Sequence, residues 1–208
     1  MARMHLLAPV NEPEALSAYR SGLSAAHAAL TARLVMTAGK VIPPPLGAAH
    51  WVVQIKRSPV DVGGVPMVPE GVQSQPFSEV VNQLATVERL IDALDWAVGQ
   101  QMDTVEQCHP ASSGGRKGSC SHDLVVTGPG GKMVFEVSDV AGASGNGNGK
   151  VTKDLVALRG CICKDAESKR AQRFLAVSPS SGDWIKRNHP GLRFQVDGPS
   201  PATSIVTV

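Results

Sequence analysis

The sequence predicts an α/β domain with a central mixed β-sheet flanked by helices. Three observations carry this. Apolar residues recur at helical spacing through 77–101, a hairpin of two alternating strands occupies 121–139, and a second helical stripe precedes a strand at 173–178. Helix, strands, helix and strand in that order make a layered α/β arrangement. A chain of 208 residues has room for one large domain, or for a core with an extension. With 42% hydrophobic but only 4% aromatic residues, the core must rely on Val, Leu and Ala.

The elements follow in order. Leu16, Tyr19, Leu23, Ala26, Leu30 and Leu34 form an apolar stripe within a helix over 12–39, and Pro43-Pro44-Pro45 stops it. Trp51-Val52-Val53-Gln54-Ile55 reads as a strand, and the Pro- and Gly-rich stretch 58–76 as a loop or linker. We therefore divide the chain into an extension, 1–76, and a core, 77–208. Three roles stand open for the extension: a dimerisation arm making a homodimer, a substrate-targeting segment, or a cover on the sheet. In the core, Ser78 is placed to cap a helix whose face is Val81, Leu84, Val87, Leu90, Ile91, Leu94 and Val98. The polar, Gly/Ser-rich stretch 107–119 leads into the hairpin, and a glycine-rich loop, 141–149, follows it. Val151, Leu155, Leu158 and Ile162 mark the second helix. Residues 173–178 and 192–196 read as strands, with 204–208 as an edge strand.

No apolar run approaches the ~20 residues of a membrane span. The apolar part of residues 1–10 is too short for a signal peptide, so the chain is expected to be cytoplasmic, with its four cysteines reduced. The net charge is only +2, but it is unevenly distributed. From Lys150 onward ten Lys and Arg residues face five acids, which makes the C-terminal part basic. That part is either a solvated surface or a surface for a polyanion.

The hairpin carries the chemistry. Counted outward from a turn at Pro129-Gly130, Val126 faces Met133, Leu124 faces Phe135 and Asp123 faces Glu136. Leu124, Val126, Met133, Phe135 and Val137 then fill one sheet face, leaving the two acids on the other with Val125, Val134 and Ser138. Opposed carboxylates repel. A shared hard cation, bound through oxygen, offsets that repulsion. The competing reading is two solvated acids on an exposed strand face.

An acid at the start of one strand, a hairpin, Glu136 on the next strand and then Lys153-Asp154-Leu155 with Leu158 on a helix resembles the PD-(D/E)XK nuclease superfamily over residues 77–180. The resemblance implies a three-layer restriction-endonuclease-like core of order αβββαβ. It implies that Asp123 and Glu136 bind Mg²⁺ (or Mn²⁺) for phosphodiester hydrolysis, in DNA before RNA. At the family's lysine position, two residues after the acid, stands Ser138. In some members the lysine comes from the following helix, where Lys153 is the first candidate and Lys150 the next. Three function readings follow: a Mg²⁺-dependent nuclease, a catalytically inactive module of the same fold that binds nucleic acid or protein, and an α/β protein with structural zinc.

Other motifs carry less. With Gly149-Lys150 aligned to a P-loop, Ser144 replaces its first glycine and Val151 its hydroxyl residue. Gly142, Gly145 and Gly147 imitate a dinucleotide fingerprint, but too little chain follows. Cys108-His109, Cys120-Ser121-His122 and Cys161-x-Cys163 lack the paired spacing usual for zinc. His122, next to Asp123, is either an ordinary strand histidine or a group that meets a scissile phosphate or acts as acid/base. Asp139 falls on the opposite strand face, or at the strand end.

Overall fold

A computed structural model describes residues 6–8, 10, 12–41, 48–110, 122–138, 152, 154, 155, 158, 171–195 and 203–207. Its elements are β1 (Glu14–Ala15), α1 (Leu16–Lys40), α2 (Ala48–Arg57), β2 (Pro59–Asp61), β3 (Ser74–Pro76), α3 (Phe77–Gly99), β4 (Thr104–Cys108), β5 (Leu124–Gly128), β6 (Gly131–Ser138), β7 (Gln172–Val177), α4 (Pro179–Asn188), β8 (Arg193–Gln195) and β9 (Ser204–Thr207). Thr152, Asp154, Leu155 and Leu158 are also helical.

Seven strands form one mixed sheet in the order β1-β4-β5-β6-β7-β9-β8. β4, β5 and β6 are an antiparallel meander, β7 runs parallel to β6, and β9 runs antiparallel to β7. Helices cover both faces. On one, Leu124, Val126, Met133, Phe135, Phe174 and Ile205 pack with Leu84, Val87, Leu90 and Leu94 of α3 and with Leu16, Tyr19 and Leu23 of α1. On the other, Val125, Val134, Leu175, Val177 and Val206 pack with Leu155, Leu158 and Ile185 of α4. The first core holds an aromatic trio: Phe135 and Phe174 stack at 5.2 Å, and Trp96 meets them edge-on at 6.0 and 4.7 Å. Three of the chain's eight aromatic residues thus meet on the sheet face that α3 covers.

The α1 stripe is buried as its spacing predicts, and β1 joins the sheet beside β4. Four expectations need correction. Trp51–Ile55 is helical, within α2. The β-branched run imitates a strand, but Ile55 is buried while Val52 and Val53 are exposed, and the Trp51 indole N–H donates to the Val41 carbonyl at 3.1 Å. The linker 58–76 contains a small sheet of β2 and β3, whose Val60 is buried. α3 starts at Phe77 with Pro76 at its N-cap, so Ser78 lies inside the helix, and Val80, Ala93 and Ala97 take the inner face while Val81 and Val98 are exposed. β9 is interior, because Ile205 and Val206 are buried on opposite faces; β8 is the edge.

The β5–β6 register is the one counted from the turn: Leu124 pairs with Phe135, Val126 with Met133 and Gly128 with Gly131, without a bulge. Gly131, at φ 108°, supplies the left-handed residue that a Pro-Gly turn otherwise lacks. The tip sits against the end of α3. A Cβ on Gly128 would lie 2.5 Å from the Gln101 carbonyl oxygen and 2.8 Å from the Met102 Cα. Both are backbone atoms, so Gly128→Ala is expected to cost about 2–3 kcal/mol by overpacking, read by urea denaturation. An unchanged midpoint would mean that the tip is not seated there.

α3 is joined to the segment before β9 by a polar cluster. Arg89 Nη1 donates to Thr203 Oγ1 at 2.9 Å, and the Thr203 hydroxyl donates to Asp92. Burial pushes the Asp92 carboxyl above its ordinary range, against the opposing effects of Thr203 and Arg89. A carboxyl that binds its proton more tightly when folded weakens the fold once it is ionised, and stops doing so below its unfolded value of about 3.9. Wild type should therefore gain stability relative to Asp92→Asn as pH falls from the raised folded value towards 4. Thermal melts across that range check the sign; a relative loss on acidification would mean that Asp92 is held ionised.

Candidate metal-binding acidic site

Glu136 lies on β6, between β5 and β7, opposite Leu175 of the parallel neighbour. Alternation gives Met133, Phe135 and Val137 to the aromatic core, and Val134, Glu136 and Ser138 to the other face. A carboxylate this deep in a sheet needs a partner, because a dry, uncompensated charge costs several kcal/mol. His122 supplies one: its Nδ1 lies 3.0 Å from Glu136 Oε1, with the two side chains 7% and 13% exposed.

Asp123 begins where strand pairing stops. β5 begins only at Leu124 and the chain bends at Asp123, so strict alternation no longer fixes where its side chain goes. Asp123 Oδ2 accepts the Val137 N–H at 2.8 Å, and its backbone carbonyl accepts the His109 N–H at 2.8 Å. The side chain thus acts as a surrogate ladder acceptor for the residue next to Glu136. Asp123 is thus held to Val137, the residue after Glu136, and Glu136 meets the imidazole of His122.

Ser138 ends β6 opposite Val177. It is fully buried, and its hydroxyl has no hydrogen-bond partner among the described residues. Lys153 and Lys150 lie outside the described residues, as do Asp139, the 141–149 loop, Cys120, Cys161 and Cys163. The helical neighbours Leu155 and Leu158 pack on the face that carries Val134, which Glu136 shares.

Cys108 is buried in the core opposite Leu124. Burial pushes its thiol up to about 12, and the charge of Asp123 adds to that. Such a thiol is neither a ready nucleophile nor a ready zinc ligand. Within the basic C-terminal part, Lys186, Arg187 and Arg193 are exposed, while Arg173 Nη1 donates to the Leu158 carbonyl at 2.9 Å and fastens that helix to β7.

The donor set is hard. Two carboxylates, each fixed by a hydrogen bond, suit an oxygen-seeking divalent cation. Among the described residues no group of three or more His, Cys, Asp and Glu side chains is placed to hold a metal ion. Sequence reasoning missed the His122–Glu136 pair, because strand parity assigns them to opposite faces and only the bend brings them together. Adjacency of His122 to Asp123 was its one available signal. No family model, curated protein or solved structure matches the chain. Among the described residues no helix is long and apolar enough to cross a membrane.

Proposed function

We propose that this chain is a metal-dependent nuclease of the PD-(D/E)XK type, hydrolysing phosphodiester bonds in DNA. One observation carries the reading. An acid at the start of the second strand of a β-meander is tied to the third strand beside a buried acid, in a core ordered helix, three antiparallel strands, helix and parallel strand. That order supports the reading, because αβββαβ is the order expected of a restriction-endonuclease-like core. Asp123 and Glu136 would hold Mg²⁺ or Mn²⁺. When bound, the cation supplies an activated water and stabilises charge on the phosphorus oxygens.

The chain's own residues do the positioning. The Val137 N–H orients Asp123, and His122 orients Glu136. The Ser138 hydroxyl can position water but brings no positive charge to the lysine position. Lys153, which lies outside the described residues, is our candidate for that charge. Exposed Lys186, Arg187 and Arg193 offer phosphate contacts beside the core.

Incubation of plasmid, oligonucleotide DNA and RNA with Mg²⁺ or Mn²⁺, in parallel with Asp123→Ala and Glu136→Ala, tests the proposal. Cleavage that depends on the metal and on both acids is expected; no metal-dependent cleavage of any of these substrates would sink it. The buried serine in place of lysine favours a second reading, a nuclease-like module that binds nucleic acid or protein without cutting. A DNA mobility shift without product is its signature for nucleic acid.

A further inference from the structure

We infer that His122 is a positioning residue for the cation site: it donates from Nδ1 to Glu136 Oε1 and so aims the Glu136 carboxylate at the metal. This rests on the proposed metal-dependent reading. The imidazole is nearly excluded from solvent, and the carboxylate it meets at 3.0 Å is also largely buried. An ionised carboxylate only accepts, so Nδ1 carries the hydrogen. A long Glu side chain on a strand has several rotamers, and a fixed donor on one oxygen selects among them. Hydrogen bonds of this kind to ligating carboxylates orient the ligand, and their loss commonly costs 10- to 100-fold in metal affinity.

The placement has a local cause. His122 reaches Glu136 because pairing ends at Leu124 and the chain bends at Asp123, the other proposed ligand. The same bend presents the Asp123 carboxylate to Val137. One local departure from strand geometry therefore serves both acids.

Calorimetric titration of the full-length protein with MnCl₂ tests this without reference to turnover. Wild type should bind Mn²⁺, and Asp123→Ala combined with Glu136→Ala should not. His122→Asn places an amide nitrogen near the Nδ1 position and should stay within about threefold of wild type. His122→Gln, also polar but with its nitrogen one bond further out, should weaken Mn²⁺ binding about 10- to 100-fold, as expected for a lost orienting hydrogen bond. Equal affinity for Gln and wild type would overturn the inference while leaving the nuclease reading intact. So would Asn as weak as Gln, with both variants melting like wild type. No Mn²⁺ binding by wild type would remove the metal reading itself, and this inference with it.

Discussion

Glu136→Gln is expected to lower metal-dependent cleavage by roughly 100- to 1,000-fold while leaving the protein folded. The magnitude follows from the several kcal/mol of transition-state charge stabilisation that a catalytic cation supplies, at about 1.4 kcal/mol per factor of ten. Gln keeps the length of the side chain and an oxygen that can still accept from His122, so neighbouring packing should survive. What it loses is the charge proposed to hold a divalent cation. The melting transition should shift by no more than one hydrogen bond is worth, about 0.5–1.5 kcal/mol. Cleavage assays with Mn²⁺ at increasing concentration give a further readout. If Glu136 is a ligand, excess metal should recover part of the activity. Full activity of the Gln variant at ordinary metal concentration would remove Glu136 from the site.

The second large effect is on stability. Phe135→Ala is expected to destabilise the fold by about 3–5 kcal/mol, the usual cost of emptying a buried aromatic site. Phe135 is fully buried, stacked on Phe174 and met edge-on by Trp96, on the strand that also carries Glu136. Its ring joins α3, β6 and β7 at one point. Against a total stability of about 5–15 kcal/mol, the loss is a large fraction. Val81→Ala and Val98→Ala, on the exposed side of α3, serve as matched controls and should stay within about 0.5 kcal/mol. Urea unfolding of the three variants measures the contrast. A Phe135→Ala midpoint close to that of the controls would mean that the aromatic trio is not a structural centre.

The two residues also show what the sequence made legible. Phe135 was assigned to the core because period-2 alternation is a local property, and the β5–β6 register held from the turn to Leu124. Glu136 was placed on the opposite face by the same count. The partner of Glu136 was not legible: parity stops having meaning where the chain bends, and that is where Asp123 and His122 stand. Helices with one wet side were easy, as α1 shows. α2 was misread because Trp51, Val52, Val53 and Ile55 have strand propensity, and only tertiary packing chose the helix. β4 escaped notice because a bulge between Val105 and Gln107 breaks its alternation. Interior β9 reads as an edge from sequence because its position depends on which strands flank it, a long-range fact that no local pattern encodes.

The borders of the large sheet carry a last consequence. Among the described residues its outermost strands are β1, with two residues, and β8, with three. A neighbouring molecule seeking to extend the sheet would find few backbone groups in register, too few to offset the entropy of docking. Self-association by strand addition is thereby discouraged at both margins, although the interior strands are rich in Val, Leu and Phe and would pair readily if exposed. Among the described residues, resistance to amyloid-like stacking lies in the brevity of these two border strands.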